Sequence, residues 1–157
     1  TMYDGNQSNE LAVAADLSEA SLEDLLIQIG QAKDDRGFQI KLMPRKLAIP
    51  VNEQFNAERI LKSNLQNDTA NNATNALRSK GMLPEGIVVN HYFTDTDAFF
   101  ILNDVPSGTG LIYQERMALE FERDNDFNTK NALASAVERY KFDFVDWRAA
   151  YASAGAA

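Results

Sequence analysis

Residues 43–65 read MPRKLAIPVNEQFNAERILKSNL, and this stretch sets the expectations for the fold. Lys46 to Ile49 is a short strand stopped by Pro50, whose ring fixes φ and removes a backbone donor. Pro44 stands just ahead of it. Asn52 is placed to cap a helix, and Ala57, Ile60, Leu61 and Leu65 then recur at helical spacing. Strand, proline, cap and helix follow one another without slack.

Upstream, Ser21 with Asp24 three residues later is a near relative of the capping box. Leu22, Leu25, Leu26 and Ile29 follow as one apolar stripe, so a helix is expected from Ser21 to about Gly30. Downstream, Asn64 to Asn75 holds asparagine, alanine and threonine with almost nothing large. It reads as an exposed loop, with a helical turn through Ala76, Leu77 and Arg78. Ile87 to Val89, extended by Tyr92 and Phe93, and Ala98 to Leu102 read as strands joined by a hairpin at Asp95-Thr96-Asp97.

The second half alternates with period two. Met117, Leu119 and Phe121 are expected on one face, with Glu120 and Glu122 between them. Tyr140, Phe142 and Phe144 alternate with Arg139, Lys141 and Asp143, which places Phe142 inward and Asp143 toward water. The fold class expected is α+β, an antiparallel sheet flanked by helices. Its organisation reads as a flexible lead-in over 1–17, one α+β domain over 18–148, and a flexible tail of small residues over 149–157.

Composition removes several functions. The 157 residues are 45% hydrophobic, enough for one real core. No cysteine is present, which excludes disulfides, thiol catalysis and thiolate zinc sites over these residues. Fifteen basic against twenty-three acidic side chains give −8, which argues against nucleic acid or an anionic membrane as the main partner. No stretch reaches the roughly 20 apolar residues of a membrane-spanning helix.

The chemical motifs each fail a test. His91, Asp95 and Asp97 come closest to a catalytic cluster, since an imidazole with nearby carboxylates can act as an oriented general base. In an extended chain, however, His91 and Asp95 stand roughly 13 Å apart. Ser107-Gly108-Thr109-Gly110 lacks the G-x-S-x-G elbow, and also lacks the lysine and following helix of a phosphate cradle. Asp124, Asp126 and Asn128 match the first calcium-loop positions, but Thr129 stands where glycine is required and Ser135 where glutamate is. The Tyr140, Phe142, Phe144 stripe could stack on single strands, but its partners are of mixed charge, so core packing is the better account.

Three blocks nevertheless form a pattern. They are Met43 to Pro50 followed by Ala57-Glu58-Arg59-Ile60-Leu61; Asn75-Ala76-Leu77 with Lys80-Gly81 and the strands from Ile87 to Leu102; and Glu138 to Phe144 with Asp146-Trp147-Arg148 and Tyr151-Ala152-Ser153. In order and spacing the chain resembles the major capsid proteins of tailed bacteriophages, over Leu42 to about Ser153. The resemblance implies the Hong Kong 97-like fold: an N-terminal arm, an extended loop, a peripheral domain with a spine helix, and an axial domain. This chain would hold mostly the axial domain plus the peripheral strand that returns at the end. No spine helix, arm or extended loop is evident in the sequence, so a piece of a longer chain is expected, as the Thr1-Met2 opening also suggests.

The function so implied is that of a structural head protein. It would self-assemble with other copies into pentamers and hexamers of an icosahedral shell enclosing DNA. Scaffold or portal proteins would be further partners. The resemblance implies the virion as the location, after assembly in the host cytoplasm, with no catalytic residue, cofactor, metal, specific nucleic acid or membrane. The rival reading is a small hydrolase or binding module using His91, Asp95 and Asp97. Because no ligand set is complete, the melting temperature should be unchanged by a chelator or by added calcium or zinc. A shift of several degrees in a thermal melt with chelator would contradict this.

Overall fold

Helix α1, Glu19–Gly30, starts at Ser18 rather than at Ser21. The Ser18 hydroxyl accepts the Ser21 N–H at 3.1 Å, and the Ser21 hydroxyl accepts the Ser18 N–H at 2.9 Å. This is a capping box in which a serine takes the role usually held by Glu or Gln, which is why the expected cap lay three residues late. The expected stripe of Leu22, Leu25, Leu26 and Ile29 is buried. Each such side chain contributes about 1.5–3 kcal/mol relative to exposure.

The computed structural model describes residues 7–66, 73–106 and 110–156. Its other elements, in order, are β1 (Met43–Pro50), α2 (Gln54–Lys62), α3 (Ala76–Lys80), β2 (Ile87–Asn90), β3 (Phe99–Asp104), β4 (Leu111–Asn125), β5 (Ala132–Phe144) and β6 (Ala150–Ser153). The chain divides into two compact units, Thr1–Gly110 with Asp146–Ala157, and Leu111–Val145. Residues 18–148, expected as one domain, run through both units.

In the larger unit the sheet order is β2-β1-β3-β6. The hairpin expected between β2 and β3 does not form. Both strands flank β1, with β2 parallel to it and β3 antiparallel. A parallel pair needs a long crossover, and α2 and α3 lie in the segment that supplies it. Asn52 is not a helix cap either. Val51–Glu53 forms a 3₁₀ turn, and α2 begins after it without a side-chain cap. The Asn56 amide, one turn on, donates to the Leu17 carbonyl at 2.9 Å and ties α2 to the segment before α1.

The register aligns one row of side chains across all four strands. Ile87 faces Leu47, Leu47 faces Ile101, and Ile101 faces Tyr151. Leu47, Ile101 and Tyr151 are nearly inaccessible and pack into one core with α1, Ile49, Ile60 and Phe99. Tyr151 lies in the expected tail, yet β6 pairs with β3 at the end of the sheet and Tyr151 is 2% exposed. Within the described residues the lead-in is tied to β6. β6 offers a second edge whose polar groups need partners. Leu11 N–H donates to the Ala152 carbonyl at 3.0 Å, and Ala152 N–H to the Asn9 carbonyl at 2.8 Å.

The asparagine-rich loop is only partly within view, since 67–72 lie outside the described residues. Its flanks pair, with Gln66 N–H donating to the Ala73 carbonyl at 2.9 Å. Asn75, expected in the loop, is 1% exposed and caps α3. Its Oδ1 accepts the Arg78 N–H at 3.1 Å, and its amide donates to the Ile60 carbonyl at 2.5 Å.

Tyr151→Ala should cost about 3–5 kcal/mol of stability in chemical denaturation, because it empties the inner end of the core row. Phe142→Ala, at a position 70% exposed, should change stability by no more than about 0.5 kcal/mol. The opposite ranking would show that β6 is peripheral.

Candidate assembly surface

The second unit is a ribbon of two antiparallel strands, β4 and β5. Leu111 lies opposite Phe144, Tyr113 opposite Phe142, and Glu115 opposite Tyr140, so these six share one face. Ile112 opposite Asp143 and Gln114 opposite Lys141 occupy the other. The rings of Tyr113, Tyr140 and Phe142 touch one another, with centroids 5.0–5.9 Å apart in tilted or edge-on arrangements. Leu111, Tyr113, Tyr140, Phe142 and Phe144 are each more than half exposed. The period-two reading of these strands is correct, but the inward placement of Phe142 is not. A two-stranded ribbon has no second layer of its own against which that face could pack.

The other expected stripe is broken. The register slips between Glu115 and Met117 and again between Met117 and Glu120. Each slip inserts one residue in β4 and turns the following side chains to the opposite face. Met117 thus lies opposite Arg139, and Phe121 opposite Ala136, on different faces of the ribbon.

The aromatic face carries an acidic border. The Tyr113 phenol is pushed above its ordinary value, first by partial burial among its neighbours and then by the charges of Glu115 and Glu138. On the opposite face the Asp143 carboxyl is held below the usual carboxylate range by the Lys141 ammonium and the Phe144 N–H. At the ribbon tip Asp126 is lowered as well. It accepts the Thr129 hydroxyl at 2.5 Å and the Asn128 N–H at 3.0 Å. Lys130 takes a positive φ of 59° in the same turn and sits 4.6 Å from the Phe127 ring centroid. Asp126, whose spacing matched a calcium loop that Thr129 and Ser135 argued against, is engaged in organising the turn. Among the described residues no group of three or more His, Asp or Glu is placed to hold a metal.

The rival cluster is dispersed in role. His91 is not within a strand but in the exposed turn after β2. Asp95 accepts the N–H groups of Asp97 and Ala98 at 3.0 and 3.3 Å, an Asx turn. An open cavity of about 350 Å³ lies beside it, lined by Tyr92, Phe93, Asp95, Ala98 and Phe100 among others, without His91 or Asp97. Of the Ser107 to Gly110 run, 107–109 lie outside the described residues.

Sequence reasoning missed Arg148, whose side chain is 12% exposed. Its guanidinium meets Asp146 at 3.3 Å and Asp35 at 3.2 Å, donates to the Lys33 carbonyl at 3.1 Å, and lies 4.7 Å from the Trp147 ring centroid. An arginine in a Trp-Arg pair carries no periodic signal.

A family model described as phage capsid protein matches residues 1–153. No curated protein matches the sequence. Among solved structures, the virus-like particle from Pyrococcus furiosus superposes at a TM-score of 0.52 and 14% identity, over 95% of this chain and 57% of the other. That likeness is one of fold. A phage-related protein from Bordetella bronchiseptica RB50 gives a TM-score of 0.48 at 16% identity, over 86% of this chain and 48% of the other. The chain thus spans about half the length of the solved proteins it matches.

Removing one border charge should be legible in the ring it perturbs. Glu115→Gln takes away a charge that disfavours the phenolate, so Tyr113 should ionise at lower pH than in the parent. Ultraviolet or NMR titration of the tyrosines would measure it. An unchanged titration would place Glu115 away from the ring.

Proposed function

The chain belongs to the phage capsid protein family, and from that premise we propose that it is a C-terminal portion of a Hong Kong 97-like head protein, mostly axial domain with the peripheral strand that returns at the end. Its role is structural. In this reading copies join into pentameric and hexameric rings, and the rings close into an icosahedral shell around DNA. Assembly takes place in the host cytoplasm and the product is the virion, with scaffold or portal proteins as further partners. The reading is of a protein without catalysis.

The observation that carries it is the family match over residues 1–153 of 157. Two features of the molecule support it. A shell subunit needs surfaces that fit other copies rather than a reactive pocket, and the β4–β5 ribbon offers a broad apolar face. The net charge of −8 suits a wall along which packaged DNA slides rather than sticks.

The test is direct. The protein expressed at full length should give closed shells of uniform diameter in negative-stain electron microscopy. Particles no larger than small oligomers, under every salt condition and with a co-expressed scaffold, would overturn the reading.

A further inference from the structure

The segment ahead of α1 is held in two unlike ways. From Ala15 onward it is anchored. The Ser153 hydroxyl makes two hydrogen bonds with the Ala15 backbone, the Asp16 carbonyl accepts the Ser21 hydroxyl at 2.8 Å, and Leu17 is buried in the core. Residues 7–11 lack such an anchor. None of them is buried, and apart from Leu11, which packs partly on the core, they meet the rest of the unit through hydrogen bonds. Asn9 and Leu11 share one pair of backbone bonds with Ala152, an isolated parallel bridge centred on Glu10. The Asn9 side chain adds a bond to the Ala150 carbonyl at 3.1 Å. The Gln28 amide of α1 donates to the Ser8 and Glu10 carbonyls, each at 3.0 Å. The ties at Gln7, to the Asp34 carbonyl and from Arg148, are both 3.4 Å long. Open cavities flank this seam, one of about 190 Å³ lined by Gln7, Ser8 and Gln28 among others, and one of about 540 Å³ lined by Leu11, Val13 and Gln28 among others. Water thus has access to the bonds it must replace. Solvent-exposed hydrogen bonds with little apolar burial behind them mark segments that open locally. Between the two parts, Ala12, Val13 and Ala14 are exposed and, among the described residues, have no hydrogen-bond partner.

We propose that residues 7–11 are a releasable strap, hinged at 12–14 and latched by Gln28, which lifts from β6 as a unit while 15–17 and the core stay in place. Strand geometry makes the separation clean. Successive residues of a strand turn their backbone groups to opposite sides. Ala152 serves Asn9 and Leu11, so Tyr151 and Ser153 serve β3. Lifting the strap therefore takes nothing from the β3–β6 ladder. It bares the N–H and C=O of Ala152, unpaired edge groups of the kind that template pairing with another extended segment. The strap guards that edge. Gln28 is suited to the latch because a primary amide carries two N–H groups, and its Nε2 reaches two carbonyls that stand two residues apart on the extended chain.

Hydrogen exchange read amide by amide in the full-length protein tests this. Corrected for their intrinsic rates, the Leu11 and Ala152 amides should exchange together and at least about tenfold faster than those of Tyr151 and Ala15. Their rate should hardly change with urea below the unfolding transition, because the opening exposes little surface. Gln28→Glu keeps the shape of the side chain but sets a carboxylate against two carbonyl oxygens. It should speed Leu11 and Ala152 about tenfold more, through the loss of two hydrogen bonds, and leave Tyr151 and Ala15 as they were. Leu11 and Ala152 exchanging as slowly as Tyr151, with the same urea dependence, would show that 7–11 open only with the core and would overturn the proposal. Ala15 exchanging as fast as Leu11 would remove the hinge, and a strap indifferent to Gln28→Glu would remove the latch. An equal rise at Tyr151 and Ala152 in that variant would show that Gln28 supports the core instead, again against the proposal.

Discussion

The larger unit depends on the insertion of a four-residue strand, Ala150–Ser153, between β3 and the segment that precedes α1. On one side Phe99 pairs with Ser153 and Ile101 with Tyr151. On the other, Asn9 and Leu11 exchange backbone hydrogen bonds with Ala152. The Ser153 hydroxyl closes the seam, donating to the Ala15 carbonyl at 2.8 Å and accepting the Ala15 N–H at 3.2 Å. Gly155 follows at φ +79°, where an added Cβ would come within 2.7 Å of the Asp97 Cβ. Only a residue without a side chain fits both that backbone conformation and that approach. These contacts join parts of the chain some 140 residues apart. Their loop-closure cost falls on folding, and the core row ending at Tyr151 offsets it.

Arg148 secures the approach to that strand. Its nearly buried guanidinium reaches Asp35, Asp146, the Lys33 carbonyl and Gln7, so one side chain ties the turn after α1 and the lead-in to the entrance of β6. The Asn103 amide in β3 donates to the Arg148 carbonyl at 3.1 Å and fixes the backbone as well. A lysine could not reproduce this, because a point charge lacks the planar fork that serves several acceptors and stacks on an indole ring.

What the sequence disclosed follows from which interactions are local. The α1 stripe and the strand at Lys46–Pro50 were legible because periodicity and proline act within a few residues. The Ser18 cap was obscured because two serines satisfy the same box. The direction of β2 was not legible, since an apolar run such as Ile87-Val88-Val89 fits a parallel or an antiparallel neighbour equally. β6 was hidden by its own composition. Ala150, Ala152 and Ser153 look too small to anchor a chain, yet the strand pairs with β3 through its backbone and Tyr151 between them supplies the buried anchor. At the candidate surface, alternation revealed two strands and two unlike faces. It carried no information about whether anything covers the apolar one, because that depends on other layers and not on neighbours in sequence. The two slips in β4 were invisible for the same reason, being set by pairing with β5.

The two units differ in how far each satisfies its own apolar surface. The larger unit satisfies its core internally, with the row from Ile87 to Tyr151 closed at both edges of β3. The ribbon does not. Its apolar face acts only at contact distance, whereas the net charge of −8 acts over a Debye length of about 8 Å at physiological salt. Copies approaching one another meet repulsion first and attraction second. In the proposed assembly, separate subunits would stay apart when dilute, and association would become favourable only when screening shortens the repulsion or several weak contacts close at once around a ring. A weak face repeated around a closed assembly suits a shell better than one strong face, because misplaced subunits can still dissociate before the ring is complete.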